Sequence, residues 1–256
     1  MNWKTFYALL ARDGLVARRN LLPMLLQNLL QPLLFTFVFG RVMTASGMMP
    51  ESYKNMLLPG VMAISMVLAG VQAVAMPLIT EFQFTREIED RLLAPIEIGW
   101  LAVEKIFAGV IQATFAGLVV IPAAWLIMGS GVKLDFGRPL EFLLVALLVA
   151  LFSATGGLAL GCSVGQTQIG LMFSLVLAPM MMFGCAYYPW KALESFPILH
   201  IAVLVNPLVY ASEGLRGALV PQVPHMNTLV VIAALAVIDA GLLYVGLKKF
   251  RRKAVS

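Results

Sequence analysis

The sequence predicts an all-α membrane protein: six transmembrane helices preceded by an N-terminal interfacial helix, with short re-entrant helices before the last span. Three observations carry that expectation. Of the 256 residues, 61% belong to the hydrophobic set, well above the ~45–50% of a soluble domain. Charged residues make up only 12%, about half the usual share, and they fall between the apolar runs. The runs also lack the alternation of a membrane barrel strand, so helices, which satisfy their own backbone groups, are what can cross lipid here.

The first element is residues 1–20, where Trp3, Phe6, Tyr7 and Leu10 mix with Lys4, Arg12, Asp13, Arg18 and Arg19. This mixture does not have the form of a cleavable signal. Trp3, Phe6, Leu10 and Ala17 recur at helical spacing, which predicts a helix lying on the membrane, with a solvated tail as the alternative. Residues 21–256 read as one membrane domain. A span needs about 20 predominantly apolar residues. Six stretches qualify: Leu21 to Thr44, Met56 to Thr80, Leu101 to Met128, Leu140 to Gly165, Ile169 to Tyr188 and Thr228 to Leu247. A further apolar stretch, Phe196 to Val209, is shorter and carries Pro197, Asn206 and Pro207, which suits a pair of short or re-entrant segments. No internal repeat or low-complexity segment is evident.

Orientation follows from the basic residues, which favour cytoplasmic flanks. One side carries Lys4, Arg12, Arg18, Arg19, Arg86, Arg91, Lys105 and the group Lys248, Lys249, Arg251, Arg252 and Lys253. The other carries half as many: Arg41, Lys54, Lys133, Arg138, Lys191 and Arg216. Both termini are therefore expected in the cytoplasm and the connection from Pro189 to Asn227 outside. The net charge of +5 forms no stripe with interleaved aromatics, so the basic balance points to membrane lipids and not to nucleic acid. Cys162 and Cys185 lie inside apolar runs and read as buried free thiols, not a disulfide framework or metal site.

Two connecting segments have the composition to carry function. Between Glu81 and Trp100, Phe84, Ile88 and Leu92 fall on one helical stripe, while Arg86 with Asp90 and Glu87 with Arg91 form i,i+4 pairs; Glu89 adds to the charged rim. Pro95 should end this helix. An exposed apolar stripe with a charged rim is a form that docks into a partner's groove; a loop helix folded back on its own protein is the alternative. On the outer side, Tyr187, Tyr188 and Trp190 suit an interface, and Pro189, Pro197 and Pro207 favour broken segments. Glu213 and Arg216, three apart, can pair with each other or face a cargo.

The order of these features, with the LLAPI segment closing the first loop, YYP followed by NPLVYASEGLRG in the second and QPLLFTFVFG in the first span, resembles the membrane subunit of ABC-2 type exporters. Among them it is most similar to bacterial drug-resistance and nodulation-factor export permeases. The resemblance implies a half-transporter of the bacterial inner membrane that forms a homodimer and moves an amphipathic or lipid-linked cargo outward. It also implies a coupling helix, Phe84 to Ala94, that binds two ABC ATPase subunits, which would hold ATP and Mg. This chain would bind no cofactor or metal and catalyse nothing itself. That expectation agrees with the absence of a GxxxxGK[ST] phosphate loop: the nearest approach, Gly241 to Lys248, has Leu247 where the lysine should be.

Within the spans, Phe35, Phe39, Met62 and Met66 are candidates for an apolar cargo surface, with core packing as the alternative. Asp239 is the one carboxylate well inside an apolar run. It is a candidate either for the path or for a polar contact in the bundle. If the chain were instead an ion-gradient-driven secondary transporter or channel, Asp239 would be the coupling group. Gly161 to Gly165 formally reads GxSxG, but it continues an apolar helix, so a hydrolase nucleophile is not expected. Gly157, Gly161 and Gly165 are better read as a small-residue face that lets another helix approach.

Overall fold

The computed structural model describes residues 10–12, 14–15, 21–83, 98–129 and 132–255, and among these there is no strand. Residues 10–12 and 14–15 are helical, while the rest of the expected interfacial helix lies outside the described residues. Helix α1, Leu21–Phe35, passes without a break into the π-helical Thr36–Val42 and the short turn Met43–Ala45. The wide turns follow Pro32, which has no N–H to give the i→i−4 ladder, and the Thr36 hydroxyl donates to the Pro32 carbonyl at 2.8 Å. Then come α2 (Tyr53–Gln83), α3 (Ile98–Met128) and α4 (Pro139–Ser163). Helix α5, Ile169–Met182, contains a second π-helical stretch, Met172–Leu177.

The apolar segment around Pro197 forms two short helices, as its prolines predict. These are α6, Pro197–Ala202 with a 3₁₀ turn to Val205, and α7, Pro207–Leu219, which meet at Asn206 with a bend of 97°. Helix α8, Thr228–Val255, runs through the basic group instead of ending at Leu247. Lys and Arg are good helix formers and complement the negative end of the helix dipole, so they extend the helix beyond the apolar run.

Among the described residues, four helices are long and apolar enough to cross a membrane: α2, α3, α4 and α8; the bent pair α6 and α7 could make a fifth. Helix α5 is shorter than the expected Ile169 to Tyr188 span, because the chain turns out of the helix at Phe183 and Cys185 takes a left-handed φ of 51°.

Close approaches at small residues fix the helix directions. A Cβ at Gly157 would lie 2.9 Å from the Val71 carbonyl oxygen, and one at Gly161 would lie 2.9 Å from the Ala75 Cα, so α2 and α4 run in parallel with backbones nearly touching. The expected small-residue face is thus a contact within this chain, made by Gly157 and Gly161 and not by Gly165. Helix α3 is antiparallel to α2, with Gly109 against Val74 and Gly117 against Met66. Helices α4 and α8 are parallel. At their starts the Thr228 hydroxyl donates to Glu141 at 2.7 Å, and at their ends the Lys249 ammonium donates to Ser163 at 2.7 Å.

Helix α2 lies at the centre, apolar and buried on nearly all sides. The outer faces of α3, α4 and α8 expose Phe107, Ile111, Phe115, Leu126, Leu143, Leu147 and Val237. Apolar residues thus cover the outside as well as the inside, the arrangement of a bundle solvated by lipid. The interior divides into a large cluster around Leu58, Met66 and Leu215 and a smaller one around Leu78, Leu101, Leu158 and Phe250.

Candidate functional site

The residues singled out by the sequence fall in three places. Phe84, Arg86, Glu87, Ile88, Glu89, Asp90, Arg91 and Leu92 lie outside the described residues. The frame on either side of them is a polar and aromatic knot. Lys105, near the start of α3, donates to the Glu81 carboxylate near the end of α2 at 2.8 Å, and both side chains are buried. Phe250 of α8 is fully buried and meets the Phe82 ring edge-on at 5.8 Å, with the Lys253 ammonium 4.9 Å from the centre of the same ring. The Arg251 guanidinium lies 3.1 Å from where a Cβ on Gly99 would sit. The end of α2, the start of α3 and the end of α8 are therefore tied together.

In the middle of the bundle the candidate path residues separate into two groups. Phe35 and Phe39 stack at 5.9 Å and both meet Tyr187, at 5.1 and 6.1 Å. Beside Phe35 and Tyr187, a cavity of about 470 Å³ opens between α1, α2 and α5. Met62 and Met66 are only 1% and 0% exposed and pack against Gly117 inside the chain, out of reach of a molecule entering this cavity. Asp239 is elsewhere again. It lies on the α8 stripe shared with Val231 and Leu235, 4% exposed, and neither carboxylate oxygen has a hydrogen-bond partner among the described residues.

At the other end of the bundle the sequence-marked residues do come together. Glu213 and Arg216, both 0% exposed, form an ion pair one turn apart on α7. Glu213 also accepts from the Trp190 amide at 2.9 Å and the Met226 amide at 2.8 Å. Arg216 donates to the Cys185 carbonyl at 2.8 Å and, more distantly, to the Ala186 and Met56 carbonyls, both at 3.5 Å. These bonds satisfy both buried charges and hold Cys185 in its left-handed conformation. A Cβ on Gly60 would lie 1.8 Å from the Ala186 carbonyl oxygen, so only glycine lets α2 meet this loop.

Asn206 closes the same region. Its Oδ1 caps α7 by accepting from the Leu208 amide at 3.0 Å, and its Nδ2 donates to the Met180 carbonyl at 2.7 Å. Pro207 occupies the first turn of α7, where a missing N–H costs nothing. Tyr188 donates to the Met182 carbonyl at 3.2 Å, and extended Pro189 leads into the 3₁₀ turn Trp190–Ser195. Arg216 and Glu213 are thus turned toward each other and the chain, not toward a cargo.

Sequence reasoning missed several of these partners. Glu81 and Lys105 stand at the edges of apolar runs, where they read as flanking charge. Phe250 is the lone apolar residue inside the basic group, and its spacing from Leu243 and Leu247 carried the signal of a buried stripe. Trp190 stacks on His200 at 4.0 Å and donates to its carbonyl at 3.0 Å, a pairing no spacing rule gives. Ser163 of the GxSxG match donates to the Ala159 carbonyl and accepts from Lys249, with no histidine among its partners. Both cysteines are free and buried, and among the described residues no group of three His, Cys, Asp or Glu side chains could hold a metal.

A model of the ABC-2 type transporter family matches residues 4–220, a stretch that includes Glu81, Lys105, the cavity lining and the Glu213–Arg216 pair up to the end of α7. The inner membrane transport permease YadH of Escherichia coli (strain K12) is 26% identical over 207 residues, which are 77% of this chain and 78% of that protein. The protein of the same name from Shigella flexneri matches to the same extent. No solved structure matches. Apolar helices whose outer faces suit lipid, together with a family match over most of the chain, make this an integral membrane protein and a transporter's membrane subunit: the chain belongs to the ABC-2 type transporter family.

Proposed function

We propose that this chain is the permease half of an ATP-driven exporter in a bacterial inner membrane, forming its path as a homodimer and coupling to separate ABC ATPase subunits that hold ATP and Mg. The observation that carries this reading is the family match across residues 4–220, which takes in the segment between α2 and α3. That segment, Phe84 to Ala94, is the coupling helix. The knot of Glu81, Lys105, Phe82 and Phe250 on its two sides would pass its motion to three helices at once.

Six crossings fit the helix directions. Helices α4 and α8 are parallel, so the chain between them must return across the bundle. Helix α5 starts beyond the end of α4, and the loop after it reaches Gly60 near the start of α2, so α5 is the returning segment. The helical run from Leu21 to Ala45 supplies the first crossing, with Arg41 near its end donating to the Ile127 carbonyl at the end of α3 at 2.8 Å. In this topology both termini are cytoplasmic, α6 and α7 dip into the outer leaflet, and the Glu213–Arg216 knot sits at the outer mouth.

The test is a mild-detergent pull-down of the tagged chain from its native membrane, with intact-complex mass spectrometry. Two copies with two ATPase chains are expected, and replacing Ile88 and Leu92 by Asp should release the ATPase. A reproducible complex without any ATPase, under conditions that preserve a known transporter of this type, would sink the reading. The second reading, an ion-gradient-driven transporter, draws on the isolation of the Asp239 carboxylate. Transport that persists without any ATPase and depends on Asp239 would favour it.

A further inference from the structure

The cavity between α1, α2 and α5 combines an apolar wall with side chains that can form hydrogen bonds but carry no charge. Its volume of about 470 Å³ lies within the roughly 300–1,000 Å³ of small-molecule sites. Phe35, Phe173, Leu177 and Met181 line it, together with Gln31 of α1, Gln72 of α2 and Tyr187. None of the lining residues is ionisable to a formal charge near neutral pH. Neither glutamine amide nor the Tyr187 hydroxyl makes a hydrogen bond with the described residues.

We propose that this cavity selects an uncharged amphiphile whose head carries hydroxyl or amide groups, with Gln31 and Gln72 as the specificity-determining side chains. The proposal rests on the reading of the chain as a permease and adds the chemical class of its cargo. Polar side chains facing a lipid-embedded cavity are costly unless they find partners, and the described residues supply none to these two amides. Each amide offers two N–H donors and one carbonyl acceptor, so a hydroxyl or amide head can satisfy both sides of it.

A charged head entering the same space would shed its water and meet no counter-charge. The nearest candidates are already engaged or absent from the lining: Glu213 and Arg216 hold each other, and Asp239 is on α8. The apolar tail would lie on Phe173, Leu177 and Met181, where the thioether adapts to chains of differing shape.

The purified chain in lipid nanodiscs should be labelled with a photoreactive dodecyl glucoside bearing a diazirine in its alkyl chain. Unlabelled amphiphiles of the same alkyl length then compete: a neutral glucoside, an anionic sulfate and a cationic trimethylammonium. The label is expected on α1 near Phe35 and on α5 near Phe173, displaced by the glucoside at about tenfold lower concentration than by either charged competitor. Gln72→Glu should raise the cationic competitor to at least the rank of the neutral one. The Gln31→Leu, Gln72→Leu double variant should keep the labelling and lose the head preference. Equal displacement by all three heads, preferred displacement by a charged one, or a label confined to other helices would overturn the proposal. If Gln72→Glu does not fold, the competition series on the unaltered chain still decides. Because this readout needs no ATPase, a pull-down lacking one leaves it standing, and equal displacement leaves a complex with ATPase standing.

Discussion

The ring of Phe250 meets that of Phe82 edge-on at 5.8 Å, joining the last turns of α8 to the end of α2 beside residues 84–97. Phe250 has no exposed surface and anchors the smaller apolar cluster with Leu78, Leu101 and Leu158. Phe250→Ala should cost about 3 kcal/mol or more through the cavity it leaves, and Phe250→Leu distinctly less. Thermal unfolding in detergent checks the stability. Transport per ATP hydrolysed in the reconstituted complex checks coupling, and it should fall further for Ala than ATP hydrolysis alone does.

Removing one member of the Glu213–Arg216 ion pair should be worse than removing both. Arg216→Met leaves Glu213 buried without its counter-charge, and Glu213→Gln leaves Arg216 so; each should destabilise by about 3–5 kcal/mol. The double variant should be milder than the sum of the two. A double-mutant cycle by thermal denaturation measures this; strictly additive losses would show that the charges do not support each other.

Gly60→Ala should be among the most damaging single-methyl changes in the chain. Its Cβ would overlap the Ala186 carbonyl oxygen, so the loop that Arg216 holds must move away from α2. A loss of about 2 kcal/mol or more is expected, against little effect at Gly241, where a Cβ would meet nothing. Detergent-solubilised melting temperatures compare the two.

Asp239→Asn should fold at least as well as the parent, because it removes a buried carboxylate that no hydrogen bond compensates. For an ATP-driven permease, transport by this variant should stay within about twofold and be indifferent to collapsing the proton gradient. A loss of transport together with its proton dependence would instead make Asp239 the coupling group.

Much of the architecture could be read from local pattern, because lipid allows few backbone solutions. Long apolar runs became α2, α3 and α4 to within three residues at either end, α8 ran on past Leu247 to Val255, and Pro189, Pro197 and Pro207 marked where helices break. The end of α5 was hidden, since Phe183 to Tyr188 are as apolar as the helix before them. What turns the chain there is a left-handed Cys185 held by an arginine some thirty residues on. Met62 and Phe35 looked alike as large apolar residues. Which one faces a cavity depends on the bundle around them, and spacing along one helix does not encode that. Glu213 and Arg216 were visible as an i,i+3 pair, whereas Glu81 and Lys105, on different helices, were not.

The side-by-side, same-direction contact of α4 and α8 sets an order of biogenesis. As the chain leaves the ribosome, α4 enters the bilayer long before its neighbour exists, and α5, α6 and α7 must be placed before α8 can arrive pointing the right way. Until then the carboxylate of Glu141 lacks the Thr228 hydroxyl, and Phe82 lacks the Phe250 ring. A chain interrupted before Thr228 would therefore lack both contacts, one at each end of its bundle. Both ends of the bundle are completed only by its final helix.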